Sequence, residues 1–199
     1  MPQVRGIIFD MDGTLVDSRL DFDAMRREMG LPNGVPILEG LDATPDGPLR
    51  DQMLTVMRVH ELRGADEAVL IEGVMEFLSH VDERGICAAV LTRNSRESTE
   101  RTLGRLNLSF SQIVTREDAP PKPDPAGVRL IAERWGLPSN EIIVIGDYLF
   151  DLQAGRRAGM RSILFAPGEC PDFASEADFV LRDFRNAVEL LNALHASDE

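Results

Sequence analysis

Asp10 and Asp12 follow the apolar run Gly6-Ile7-Ile8-Phe9 and are separated by one residue. Two carboxylates so placed can share the work of a reaction, one attacking an electrophile or holding a cation while the other moves protons. An Asp-Gly turn closing a strand uses the same residue types, so the pair alone leaves both readings open. A calcium loop is excluded, because Leu15 stands where such a loop needs glycine. A second pair, Asp147 and Asp151, follows the apolar run Ile142 to Ile145. One helical turn separates these two acids, so they can face the same way. Asp151 also suits the N-terminus of a helix. Together the four carboxylates form an all-oxygen set suited to a hard cation such as Mg²⁺.

Lys122 is the only lysine, against 20 arginines. A chain that uses arginine at every other cationic position has kept one ammonium, a compact point charge able to sit against a phosphate or carboxylate. Its setting, Pro120-Pro121-Lys122-Pro123-Asp124-Pro125, is stiff and opens a helix at Pro125. The last segment, Leu91-Thr92-Arg93-Asn94-Ser95, places a hydroxyl at a strand end with the N–H groups of a following helix behind it, a ready anion site. Plain helix capping by Ser95 accounts for the same residues.

The elements that must position these groups alternate. Short apolar runs at Gly6 to Phe9, Ile86 to Leu91, Ile142 to Ile145, Ser162 to Phe165 and Phe179 to Leu181 read as buried parallel strands. Helix-period segments lie between them at Ser95 to Leu106, Pro125 to Trp135, Leu149 to Ala158 and Phe184 to Leu194. This pattern predicts an α/β fold with a doubly wound, parallel-sheet, Rossmann-like core. Alternation fails between Asp17 and Arg84, which shows helical patches at Asp21 to Met29, Leu49 to Arg63 and Glu67 to Val81 but no convincing strand. Gly30 to Gly47, rich in Gly, Pro and Asp, is expected to hold turns. The expected division is a core of residues 1–16 and 85–199, with a crossing helix near 67–84, and a small helical cap over 17–66 inserted after the first strand.

Of the 199 residues 43% are hydrophobic and 28% charged, and the formal charge is -13. That surface repels nucleic acid and anionic lipid, so neither is an expected partner. No apolar run approaches the roughly 18 residues of a membrane span. Strand-like residues begin at Val4, so no leader is expected ahead of the fold, and a cytoplasmic location is expected. Cys87 and Cys170 match no metal-ligand spacing and read as unpaired thiols.

In chain order the four segments are Asp10-Met11-Asp12-Gly13-Thr14-Leu15-Val16, Thr92, Lys122, and Gly146-Asp147 through Asp151 to Ala158-Gly159. Together they resemble the haloacid dehalogenase-like superfamily of hydrolases. The resemblance implies a Mg²⁺-dependent phosphomonoesterase acting on a small soluble phosphoester, as a monomer or homodimer. It implies that Asp10 is the nucleophile, forming an aspartyl-phosphate, and that Asp12 is the general acid and base. Mg²⁺ would be held by Asp10, Asp147 and the backbone carbonyl of Asp12, with Asp151 in or near the next layer out. Thr92, Lys122, Arg93 and the backbone near Met11 would hold the phosphoryl group. Within the family, Asp12 favours phosphoryl transfer over dehalogenation. The absence of any lysine from the insertion excludes the phosphonate-cleaving branch. A sugar-phosphate mutase shares all four segments. A phospho-accepting signalling receiver does not place an acid two residues after its acceptor, and an idle binding protein would have lost part of the set. His60, Arg26, Arg27, Arg50 and Arg58 are candidate cap contacts.

Overall fold

The computed structural model of the protein describes residues 3–196; the expected core limits at 1 and 199 lie outside them. Six parallel strands form the main sheet: β1 (Gly6–Phe9), β4 (Cys87–Leu91), β5 (Gln112–Val114), β6 (Ile142–Gly146), β7 (Arg161–Phe165) and β8 (Phe179–Leu181). Their spatial order is β5-β4-β1-β6-β7-β8. β1 is central, pairing in parallel with β4 on one side and β6 on the other. This is the doubly wound, Rossmann-like α/β arrangement, whose switch point lies between β1 and β6.

Residues alternate between the two faces of the sheet as the strand period demands. Ile7, Phe9, Val90, Ile143 and Ile145 join one apolar cluster. Ile8, Ala89, Leu91, Ile142 and Val144 join the other. The first cluster is covered by α4 (Val74–Glu83), α5 (Arg96–Arg105) and α8 (Ala187–Ala196); the second by α6 (Ala126–Trp135) and α7 (Leu149–Arg157). Burial on both faces explains why these strands are continuous apolar runs.

Between β1 and α4 the chain forms three further helices: α1 (Phe22–Met29), α2 (Ile37–Asp42) and α3 (Pro48–Glu67). They enclose a small core of their own, built from Met25, Met29, Ile37, Leu38, Leu41, Met53 and Met57. Asp21 caps α1, its carboxylate accepting from the Ala24 N–H at 2.8 Å. Pro occupies the first turn of α3, where its missing N–H costs nothing.

Several expectations need correction here. Gly30 to Gly47 is not all turn, because α2 forms within it; its run Ile-Leu-Glu-Gly-Leu is too short to show a period. The stretch from 17 to 84 also holds strand: β2 (Val16–Asp17) pairs antiparallel with β3 (Val69–Leu70) at the base of the helices. The helical patch expected from Glu67 is two things, since α3 runs on to Glu67 and α4 starts only at Val74, after Gly73 in the left-handed region. β5 adds a strand that the apolar runs do not announce, and α8 is preceded by a 3-10 turn over Phe184–Asn186.

Candidate active site

Asp10 directly follows β1 and Asp147 directly follows β6, so both acids stand at the switch point of the sheet, where open α/β folds place ligands. Lys122 reaches the same point from the loop before α6. Its Nζ lies 2.5 Å from Asp10 Oδ1 and 2.6 Å from Asp151 Oδ1, and donates to the Leu91 carbonyl at 2.8 Å. Three oxygens thus surround the ammonium, two in hydrogen bonds and that of Asp151 in an ion pair, and the side chain is only 4% exposed. Burial pulls the ammonium down, but the charges of Asp10 and Asp151 outweigh it and hold Lys122 above its ordinary range.

Carboxylate oxygens of Asp10, Asp147 and Asp151 lie within 4.8 Å of one another. Close approach is made possible by two glycines. A Cβ on Gly13, whose φ is +78°, would stand 2.2 Å from Asp147 Oδ2, and one on Gly146 would stand 2.2 Å from Asp151 Cγ. Three carboxylates face one ammonium, leaving an excess of negative charge. Burial, then the charges of Asp10 and Asp151, push Asp147 up to about 8. Burial also raises Asp151 to about 6 against the pull of Lys122, and raises Asp10. A carboxylate that binds a proton so readily marks a place for a cation, and the oxygen-only donor set fits Mg²⁺.

Asp12 stands beside this cluster but is not part of it. Its Oδ2 accepts from Asn94 Nδ2 at 2.6 Å, while its buried Oδ1 has no hydrogen-bond partner of normal geometry. Burial raises its pKa, with Ser18 and Asn94 opposing. Thr92 is buried at the end of β4, and its Oγ1 accepts from the Asn94 N–H at 3.1 Å. The Met11 side chain is packed in the core, and its backbone N–H lies against the Asp10 carboxylate. Arg93 donates to the Lys122 carbonyl and, at 2.6 Å, to Glu39 of α2, and its guanidinium lies 4.7 Å over the Phe150 ring.

The site residues expected from the sequence, all except Met11, line one cavity of about 430 Å³. Its far wall is supplied by the helical insertion through Leu20, Met25, Ile37, Leu38 and Met57.

The sequence profile of the haloacid dehalogenase-like hydrolase family matches residues 25–165, well over half of the chain. The chain belongs to that family. The match spans Thr92, Lys122, Asp147 and Asp151 but begins after Asp10 and Asp12, so the first acidic pair adds to it independently. A haloacid dehalogenase-like hydrolase domain-containing protein of Arabidopsis thaliana is 30% identical over 170 residues, covering 79% of this chain and 69% of that protein. The pyrophosphatase PpaX of Bacillus velezensis is 31% identical over 178 residues, covering 80% and 82%. Among solved structures, a hydrolase from Pseudomonas syringae superposes with a TM-score of 0.81 at 23% identity, over 96% of this chain and 99% of that one.

In this haloacid dehalogenase-like hydrolase, the expected cap contacts are mostly elsewhere. Only Arg26 lines the cavity. His60 lies 3.1 Å from Glu28, Arg58 pairs with Glu97, and Arg50 donates to carbonyls at the end of α2. Asn94 and Glu61, both lining the cavity, are not singled out by the sequence pattern. Glu61 does leave a readable trace: it falls on the buried stripe Met53, Met57, Glu61, Ala65 of α3, where a charge is out of place. Among the described residues no helix is long and apolar enough to cross a membrane.

Proposed function

We propose that this hydrolase is a cytoplasmic, Mg²⁺-dependent phosphatase that cleaves a small phosphorylated metabolite through an aspartyl-phosphate on Asp10. The observation that carries the reading is the different setting of two acids that face one cavity: Asp10 is paired with an ammonium, while Asp12 is held by the neutral Asn94 amide and has one oxygen without a well-formed hydrogen bond. PpaX, a relative named for phosphoryl hydrolysis, supports the same class of reaction.

In the first step an Asp10 carboxylate oxygen attacks phosphorus and the bond to the leaving oxygen breaks. Asp12, protonated beforehand, gives its proton to that oxygen. In the second step Asp12 takes a proton from water, the water oxygen attacks phosphorus, and the bond to Asp10 breaks, releasing inorganic phosphate. Burial of Asp12 favours its protonated form, as the first step requires.

The anionic nucleophile must approach an anionic phosphate. Two unit charges 4 Å apart repel by about 4 kcal/mol at an effective dielectric of about 20. Lys122 and the Thr92 hydroxyl offset that repulsion at the phosphoryl oxygens, with the N–H groups near Met11 and the Arg93 guanidinium beside them. Asp10, Asp147 and the Asp12 carbonyl would hold Mg²⁺, with Asp151 tethering Lys122 next to it. When bound, the ion neutralises charge between the nucleophile and the transferring group. Helices α1 to α3 then serve as the cap, meeting the leaving group with an apolar wall.

The test is phosphate release from a panel of metabolite phosphates, with Mg²⁺ and with chelator, by wild type and Asp10→Asn. Release that needs both Mg²⁺ and Asp10 is expected. Release that survives in folded Asp10→Asn contradicts the mechanism, and return of the phosphoryl group to a sugar would identify a mutase.

A further inference from the structure

Glu61 is the one charged residue on the buried face of α3, and it is 5% exposed. It reaches out of the helical insertion to the loop that follows β4. Its Oε2 accepts from Ser95 Oγ at 2.7 Å and from the Ser95 N–H at 3.3 Å. Both of its oxygens are also held by the Arg116 guanidinium, in a two-pronged ion pair. Arg116 in turn donates from its side chain to the Arg93 carbonyl at 3.3 Å and from its backbone N–H to the Asn94 carbonyl at 3.3 Å. The backbone is therefore fixed on both sides of Asn94: the Arg93 and Asn94 carbonyls by Arg116, the Ser95 N–H by Glu61. Asn94 is the residue whose side-chain amide binds Asp12 at 2.6 Å.

A buried ion pair is a poor stabiliser, since desolvation consumes most of its Coulomb energy, and well-packed apolar residues often do as well. Other contacts already join α3 to α5, including two-pronged pairs between Arg58 and Glu97 and between Arg101 and Asp66. Anchorage alone thus leaves the burial of Glu61 unexplained. We infer that Glu61 is a positioning residue, acting through Ser95, Arg116 and Asn94 to aim the Asp12 carboxyl at the leaving oxygen. The insertion then contributes to proton transfer as well as to the shape of the cavity. This inference rests on the reading of Asp12 as general acid given above.

The experiment compares kcat/KM for two substrates, because that ratio reports on the first chemical step. With 4-nitrophenyl phosphate the leaving phenolate needs no proton; with glycerol 2-phosphate the leaving alkoxide does. Wild type, Asp12→Asn, Glu61→Gln and Arg116→Gln are measured on both. Asp12→Asn is expected to lose about 100-fold more on the alkyl than on the aryl substrate, within the usual worth of acid catalysis. Glu61→Gln and Arg116→Gln are expected to lose about tenfold more on the alkyl substrate. A general loosening of the fold would lower both substrates by one factor. Equal losses in both variants, beside a selective loss in Asp12→Asn, overturn the role of Glu61 alone. Equal losses in Asp12→Asn, or no turnover of either substrate by wild type, overturn the reading of Asp12 and the inference with it. Should Glu61→Gln fail to fold, Arg116→Gln, at the more exposed end of the pair, decides by the same ratio.

Discussion

The strand ends and the helical insertion face each other across one cavity but are built on different principles. At the strand ends the groups are ionisable, at least partly buried and close-set, with Lys122 joined to both Asp10 and Asp151. They grow from a sheet packed on both faces, so a shift of one would disturb two cores at once. The insertion presents apolar side chains from a small core in which four of the eight methionines sit. Methionine is unbranched and adapts to neighbours of different shape. On the proposed mechanism, chemistry falls to the rigid side and leaving-group fit to the adaptable one, with Glu61 as the exception that crosses over.

Substitutions should therefore separate into effects on rate and effects on selectivity. The largest is Asp10→Asn, which keeps the shape of the side chain but removes the proposed nucleophile. Steady-state assays should show kcat reduced by about 10⁴-fold or more, with the circular dichroism spectrum unchanged. A variant that changed only KM would place Asp10 among the binding residues instead.

Next is Lys122→Met, which leaves Asp10 and Asp151 buried without their counterion. Denaturant unfolding at pH 8 should show a loss of about 3–5 kcal/mol. The loss should shrink at pH 5, where the two freed carboxyls take up protons. Equal losses at both pH values would show that the ammonium acts there by packing alone.

The carboxylate cluster gives a third test. Asp147 at about 8 and Asp151 at about 6 stand above the ordinary carboxylate value near 4. The folded state therefore binds more protons than the unfolded chain across that window, and stability falls as pH rises from about 4 to about 8. Without metal, the melting temperature should drop over that range. Mg²⁺ should raise it more at pH 8.5 than at pH 5, because protons compete for the same oxygens. A Mg²⁺ effect independent of pH would argue against a cation among these three acids.

The smallest effect is expected on the adaptable side. Met57→Leu conserves volume, so it should cost less than about 1.5 kcal/mol in denaturant unfolding. It should still change the ratio of kcat/KM between leaving groups of different size, by up to about tenfold. A uniform change across substrates would erase the distinction between the two regions.

How much of this is legible in the sequence follows the same divide. The central strands are readable because burial on both faces makes each a continuous apolar run, and Asp10 and Asp147 each follow one directly. β5 is not, since Gln-Ile-Val between polar neighbours is too short to stand out. The two-residue strands β2 and β3 show no pattern at all, and α2 lies among glycines and prolines. Asp10, Asp12, Lys122 and Asp147 can be picked out because their types are unusual for their places. Asn94 and Glu61 do not stand out in the same way, because an Asn after a strand and a Glu in a long helix are ordinary. What distinguishes them is a partner far away in sequence: Asp12 is 82 residues from Asn94, and Ser95 is 34 from Glu61.

The most direct test of the account is to look for the phosphoryl group on the enzyme. Wild type turning over a phosphomonoester with Mg²⁺ would be quenched in acid, digested and mapped by mass spectrometry. The account predicts one phosphoryl group on the peptide that carries Asp10, removed by hydroxylamine and missing from Asp10→Asn. Rapid release of phosphate with that peptide unmodified at every quench time, or modified at another residue, would contradict it.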